Sequence, residues 1–298
     1  MPVAKSRIAV AAAALGMIAG LAQPAAAQSA EAATPTGSSH PLLDDCTQVL
    51  EGVQRRFHGY DSWRRLKVTI TDEGGATKVR RLASAHKSFG VNRYMRSVVI
   101  EPVELVGIES FSEDNTEGDL PDRVWTWLPS RKAAIELKSE DMSQRVFGSD
   151  LAVGEMMTRE ARDYECRMMG VGDYLGHQVY KIYVKPKDER EVMRVGLNDG
   201  EVWADTQTFL PLYSSFNADA PNEQRIFEVL KAGWTDGVFA ASHFRVSTMK
   251  EGRIVSFSDF ETETESFNIG LPDGFFSPED LGSADSAFRD FSVESETH

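Results

Sequence analysis

From residue 60 to residue 267 the sequence alternates apolar with polar side chains, and this period of two constrains the fold more than any other feature. WRRLKVTITDE, ATKVRRLASAHKSF, VNRYMRSVVIEP and VELVGIESFS follow one another, and QRIFEVLKAGW, VFAASHFRVSTMK and RIVSFSDFETETESF close the series. Successive strand residues point to opposite faces, so such runs predict strands with one face buried. Gly74-Gly75, Asn198-Asp199-Gly200, Asp236-Gly237 and Glu251-Gly252 read as turns. In DRVWTWLPSRKAAIELK, Pro129-Ser130 marks the bend of a hairpin. The pattern amounts to about ten strands. No strand alternates with a helix as a parallel sheet requires, so the expected fold is a mainly β, antiparallel meander.

One face of this sheet is very apolar. Phe244, Val246 and Thr248 share a face, as do Val202 and Ala204, and Trp125 points the same way as Trp127. That face must be buried. The main helical stripe lies in PLLDDCTQVLEGVQRRF, with Pro41 in its first turn, Asp44 and Asp45 at its positive end and Gly59 as a stop. A further short helix is expected near Leu151 to Arg159. One helix cannot cover ten strands, so the sheet is expected to curl into an incomplete antiparallel β-barrel whose mouth the helix covers. A curl of this size has room for a ligand.

Lys5 and Arg7 precede an unbroken small and apolar run from Ile8 to Leu21, then Pro24 and Ala25-Ala26-Ala27. The run is shorter than the roughly 20 residues that cross a bilayer, and it reads as a cleaved secretory signal over residues 1–27. The expected location is the periplasm, as a soluble chain. Residues 28–41 are small, polar and Pro-containing, a flexible linker. A β domain is expected over 42–281 and an acidic, frayed tail over 282–298. Loss of the leader takes 2 of the 32 Lys plus Arg and leaves 30 against 46 Asp plus Glu, a net of −16. That balance argues against nucleic acid as a partner.

Cys46 and Cys166 could pair in an oxidising compartment, or stay as two buried thiols; the sequence leaves both open. The six histidines show no metal-binding spacing, and no cofactor or metal is expected. Catalysis finds little support. The acidic pairs at 72–73, 140–141 and 188–189 place their side chains on opposite sides of a strand. Asp163 and Glu165 would share a face, but without a matching histidine. Ser88, His86 and Asp72 have no spacing that demands a triad, and GxSxG is absent.

Five segments together resemble the LolA-like outer-membrane lipoprotein-sorting family. They are KSFGVNRYMRSVVIEPVELVGIESFS, VWTWLPSRKAAIEL, VFGSDLAVGEM, TFLPLYSSFN and the closing FNIGLPDGFFSPEDL. The likeness spans roughly residues 60–281. It departs from the family at Leu151 and Ala152, where aromatic residues are usual. The resemblance implies a hydrophobic cavity for the acyl chains of a lipid or lipoprotein, and work in the periplasm beside an RND-type inner-membrane exporter or an outer-membrane acceptor. A non-carrier adaptor docking on an envelope or export complex is the alternative.

Met95, Val99, Ile108, Phe111, Trp125, Trp127, Trp203, Phe244 and Phe257 are the candidate ligand-binding residues, each readable also as plain core. In a barrel of this family the last strand lies near an open edge, where Pro272 and Pro278 would discourage pairing with another chain. Phe275 and Phe276 then either clamp the core or border the cleft. Arg80, Arg81, Lys87, Arg93 and Arg96 are either solvated strand cations or a positive rim for an acidic partner or a lipid headgroup.

Overall fold

The computed structural model describes residues 41–116, 120–138 and 141–283. The expected leader, the linker up to residue 40 and the tail beyond residue 283 lie outside the described residues, and residues 42–283 belong to one compact unit. In chain order its regular elements are α1 (Cys46–Arg55), β1 (Asp61–Thr71), β2 (Thr77–Phe89), β3 (Asn92–Glu101), β4 (Glu109–Asp114), β5 (Arg123–Leu128) and β6 (Ala133–Glu136). After a long connection come β7 (Tyr164–Tyr174), β8 (His177–Pro186), α2 (Glu189–Val195), β9 (Leu197–Asp205), β10 (Pro211–Ala218), β11 (Glu223–Thr235), β12 (Val238–Lys250) and β13 (Arg253–Phe267).

Every pairing among these strands is antiparallel, and the 13 strands form one sheet that stays open as an incomplete barrel. The order runs from β6 down to β1, then from β13 down to β7. The last strand is therefore not at an edge. β13 lies between β1 and β12, with Phe267 opposite Ser62 and Phe257 opposite Thr71. Two meanders, β1–β6 and β7–β13, meet where the first strand pairs with the last, so β6 and β7 are left as the edges. Pro272 and Pro278 consequently have no edge to protect.

Other expectations shift by a few residues. Helix α1 starts at Cys46 because Asp45 caps it, accepting the Thr47 amide at 2.8 Å; Pro41 stays outside. The stretch near Leu151 forms short 3-10 turns at Val146–Gly148 and Gly154–Met156 instead of a helix. Helix α2, which the alternation hid, is capped by Asp188 and ends at Gly196 in the left-handed region (φ 72°). Asn198-Asp199-Gly200 is no turn but part of β9; a Cβ on Gly200 would stand 2.2 Å from the Ser215 carbonyl oxygen.

The register defines two faces. On β9, Val202 lies under α1, and from it the pairings lead through Ser214, Phe227, Val246 and Ser258 to Ile70. This is the inner face. Val49, Leu50 and Val53 of α1 pack there against Tyr180, Ile182 and Phe216, close enough that a Cβ on Gly52 would strike the Phe209 ring at 2.4 Å. Cys46 and Cys166 are joined by a disulfide that ties α1 to the edge strand β7.

The outer face of β1–β5 is covered by the segment that follows β13. Leu271, Phe275, Phe276 and Leu281 pack on Trp63, Ala83, Ala85, Val98, Phe111 and Trp125. Burying aromatic and aliphatic side chains of this size stabilises by about 1.5–3 kcal/mol each. Asp61, itself 3% exposed, anchors the segment by accepting the amides of Ile269 (2.8 Å), Gly270 (3.3 Å) and Leu271 (2.8 Å). Arg96 fixes its far end, donating to the Phe275 carbonyl at 3.2 Å and to the Asp280 carboxylate at 2.7 Å.

Candidate functional site

The connection between β6 and β7 crosses the inner face as a strap, and Asp150 fastens it. Its carboxylate accepts from the hydroxyls of Thr248 (2.6 Å), Ser256 (2.6 Å) and Ser258 (2.9 Å), three inner-face positions of β12 and β13. The Asp150 amide donates to Ser258 Oγ at 2.9 Å, and Arg225 donates to the Asp150 carbonyl at 2.8 Å. The small polar residues Thr248, Ser256 and Ser258 are thus the socket for one carboxylate, which satisfies groups that burial would otherwise leave unpaired.

Between strap, α1 and sheet lies a cavity in three adjoining lobes of about 340, 260 and 370 Å³. Met156 and Met157 of the strap line all three. The remaining wall is largely apolar, including Leu66, Leu82, Phe244 and Phe260 in the first lobe and Leu50, Val53 and Phe216 in the third. Flexible thioethers beside aliphatic walls suit an apolar guest of variable shape.

One end of this cavity is positive. Arg56, His58, Arg64 and Arg93 line both the first and the third lobe, His86 lines the first, and Arg159 lines the third. Arg64 is matched by Glu265 at 3.0 Å. Arg93 donates to His58 Nε2 at 2.7 Å and to the Gln54 carbonyl at 3.1 Å, so that nitrogen of His58 is an acceptor. Arg56 reaches, among the described residues, only the Phe239 carbonyl, at 3.5 Å. Among the described residues no carboxylate lies within 4.0 Å of Arg56 or Arg93. Of the acids on the cavity wall, Asp114 stands opposite Arg93 in the β3–β4 register and partly offsets the effect of burial on it, while its carboxylate accepts from Thr158 Oγ1 at 2.6 Å; Glu155 pairs with Arg225 at 3.3 Å.

This environment acts on the titrating groups in one direction. Burial, reinforced by Arg93 and Arg64, pushes Arg56 down to about 9. Burial and then the neighbouring arginines lower His86 to about 3 and drive His58 far below the usual imidazole range. Both histidines are therefore neutral in the folded protein at pH 7. An unfolded imidazole takes up its proton near pH 6.5, so between that value and about 3 the unfolded chain binds a proton at position 86 that the folded chain refuses. Stability falls as pH drops below 6.5, by about 1.4 kcal/mol per pH unit for each such histidine. His86→Gln should make the decline between pH 6.5 and 5 shallower by that slope in urea titrations; an unchanged slope would show that the imidazole is protonated in the fold.

The candidate ligand residues divide between the two faces. Met95, Ile108 and Phe244 line the inner cavity, and Val99, fully buried, belongs to the inner-face core. Phe111, Trp125, Trp127, Phe275 and Phe276 come together on the outer face, where Phe111 stacks on Trp125 at 5.6 Å between centroids. Trp203 faces away from Val202 and carries Lys181 over its ring at 3.9 Å; Phe257 likewise sits under Arg245 at 4.2 Å. The five basic candidates do not form one surface. Arg93 enters the cavity and Arg80 donates to the Phe147 carbonyl at 3.0 Å on the strap. Arg81 pairs with Glu101 and Glu263, Lys87 with Asp273, and Arg96 is buried on the outer face. Sequence reasoning missed Arg56, His58, Arg64, His86 and Arg159. The available signal was parity: Leu82, Ser84 and His86 share the inner side of β2, and a histidine there cannot belong to a plain apolar core.

Residues 92–283, more than half of the chain, match the model of a family described as an uncharacterized protein. The chain belongs to that family. Among solved structures, a DUF1329 family protein from Desulfovibrio piger is similar at 18% identity and a TM-score of 0.71, over 79% of this chain and 97% of that one. A domain from Vibrio parahaemolyticus named for outer membrane lipoprotein sorting aligns at 17% identity, a TM-score of 0.69 and the same coverage. A LolA superfamily protein from Nitrosomonas europaea follows at 16% identity and a TM-score of 0.56, over 77% of this chain and 96% of that one. At these identities the likeness shows the fold, which is LolA-like. No curated protein matches the sequence. Among the described residues no helix is long and apolar enough to cross a membrane, and no group of three or more His, Cys, Asp or Glu is placed to hold a metal ion.

Proposed function

We propose that this protein is a periplasmic carrier that holds the acyl part of a lipid or lipoprotein in the inner-face cavity. The observation that carries the reading is the cavity itself. The strap, helix and sheet leave lobes of about 340, 260 and 370 Å³ that their own side chains do not fill, all lined by Met156 and Met157 and the first and third also by Phe244. Together the lobes fall within the range of about 300–1,000 Å³ usual for ligand sites. The name of the Vibrio parahaemolyticus domain, with its lipoprotein sorting, supports the same reading. Each acyl methylene withdrawn from water stabilises by about 0.8 kcal/mol, so one chain binds without a covalent step.

Native mass spectrometry of the purified mature protein should show a co-purifying lipid, and a fluorescent fatty-acid probe should bind the stripped protein. Met157→Trp fills the point where all three lobes meet and should weaken the probe about tenfold or more, the cost of overpacking by some 1–3 kcal/mol. Absence of both lipid and probe binding would leave the cavity without an occupant and end the carrier reading.

A further inference from the structure

We infer that the cavity takes an amphiphile with an anionic headgroup, a phosphate or carboxylate, held between Arg56 and Arg93 while the acyl part runs along Met156 and Met157. The inference rests on the carrier reading and names its ligand class. The chain as a whole is acidic, with 46 Asp plus Glu against 32 Lys plus Arg. Yet the third lobe is lined by Arg56, Arg64, Arg93 and Arg159 with Glu155 as its only carboxylate among the described residues. Glu155 belongs to Arg225, and Arg64 has Glu265. Arg56 and Arg93 have carbonyls and an imidazole nitrogen but, among the described residues, no carboxylate within 4.0 Å; Asp114, opposite Arg93 on β4, acts on it only at longer range. The buried Nε of Arg159 has no hydrogen-bond partner among the described residues, and its guanidinium lies over the Phe216 ring at 4.8 Å.

A cation removed from water is costly unless an anion meets it. Elsewhere this fold meets that demand internally, as Arg96 with Glu109 and Arg194 with Asp122 show. Guanidiniums with no carboxylate within ion-pair distance among the described residues, beside an apolar hollow, make an amphipathic socket. Their forked donors suit the oxygens of a phosphate or carboxylate. The neutral imidazoles of His58 and His86 add polar groups at the same end without repelling the arginines as cations would.

The test is isothermal titration of the delipidated mature protein with three probes: oleoyl lysophosphatidic acid, monooleoylglycerol and inorganic phosphate. The anionic lipid should bind about tenfold or more tightly than the neutral one of equal chain, the worth of one charge-assisted hydrogen bond. R56Q/R93Q should bring the two lipids to parity by removing the extra affinity of the anionic one, and R56K/R93K should restore part of the preference. Equal affinities in the unaltered protein would overturn the headgroup inference and leave the carrier reading standing. Inorganic phosphate binding as tightly as the anionic lipid would make this a free-anion site and overturn it as well. If neither lipid binds, the carrier reading fails and the headgroup inference goes with it.

Discussion

Arg96→Ala should destabilise the protein by about 3–5 kcal/mol, the range found when one partner of a buried ion pair is removed. Arg96 and Glu109 are both fully buried on the outer face, and the guanidinium donates to Glu109 Oε2 at 3.2 and 2.6 Å. Truncation leaves the Glu109 carboxylate in an apolar layer without its cation. It also frees the Phe275 and Asp280 carbonyls, which accept from Arg96 at 3.2 and 3.0 Å. The closing segment loses its far anchor, so Phe275 and Phe276 should become accessible to quenchers and proteases. Urea unfolding is the measurement. R96M/E109L removes both charges and should recover much of the loss, because replacing both partners by apolar groups is often near neutral. A cost under 1 kcal/mol for R96A would mean that this pair is hydrated.

Breaking the Cys46–Cys166 bridge should have a comparable effect. The two cysteines are 120 residues apart, and a cross-link closing a loop of that order is worth about 4–5 kcal/mol through the unfolded chain. The native side adds a specific consequence. Helix α1 has only 10 residues, too few to persist alone, and its place over β8–β10 depends on Val49, Leu50 and Val53 together with the bridge. Leu50 and Val53 also wall the third lobe, so the same change should loosen the cavity. Thermal unfolding of the unaltered protein should shift down on adding reductant, whereas C46S/C166S should start low and ignore it. Identical curves with and without reductant would show the bridge to be unformed in solution.

The alternation from Trp63 to Phe267 revealed the antiparallel sheet because period two is a local property that tertiary context preserves. It correctly paired Phe244 with Val246 and Trp125 with Trp127. What it could not convey is which side of the sheet faces the hollow. Trp125 and Trp127 meet the closing segment on the outer face, whereas Met95 and Phe244 meet the cavity, and the two sets look alike in one dimension. Strand order was hidden for a similar reason. The pairing of β1 with β13 joins residues about 200 positions apart, and nothing in either strand names the other. The site was the least legible part. Arg56 and His58 lie between helix and sheet in a stretch that reads as a helix end, and their meaning comes only from Arg64, His86, Arg93 and Arg159, brought in from other elements. The family likeness pointed to a hollow but carried no information on its charge.

The seam between β1 and β13 bears on how the molecule comes into being. Without β13, β1–β6 and β7–β12 are two separate sets of paired strands, each with an unsatisfied border. The hollow takes wall residues from both halves, Arg93 and Met95 from one and Phe227 and Phe244 from the other. It exists only after the final 15-residue strand slots between them. Contacts between such distant parts of a chain form slowly. β13 must therefore be in place before any guest can be enclosed, which makes loading of a chain that still lacks it physically unavailable.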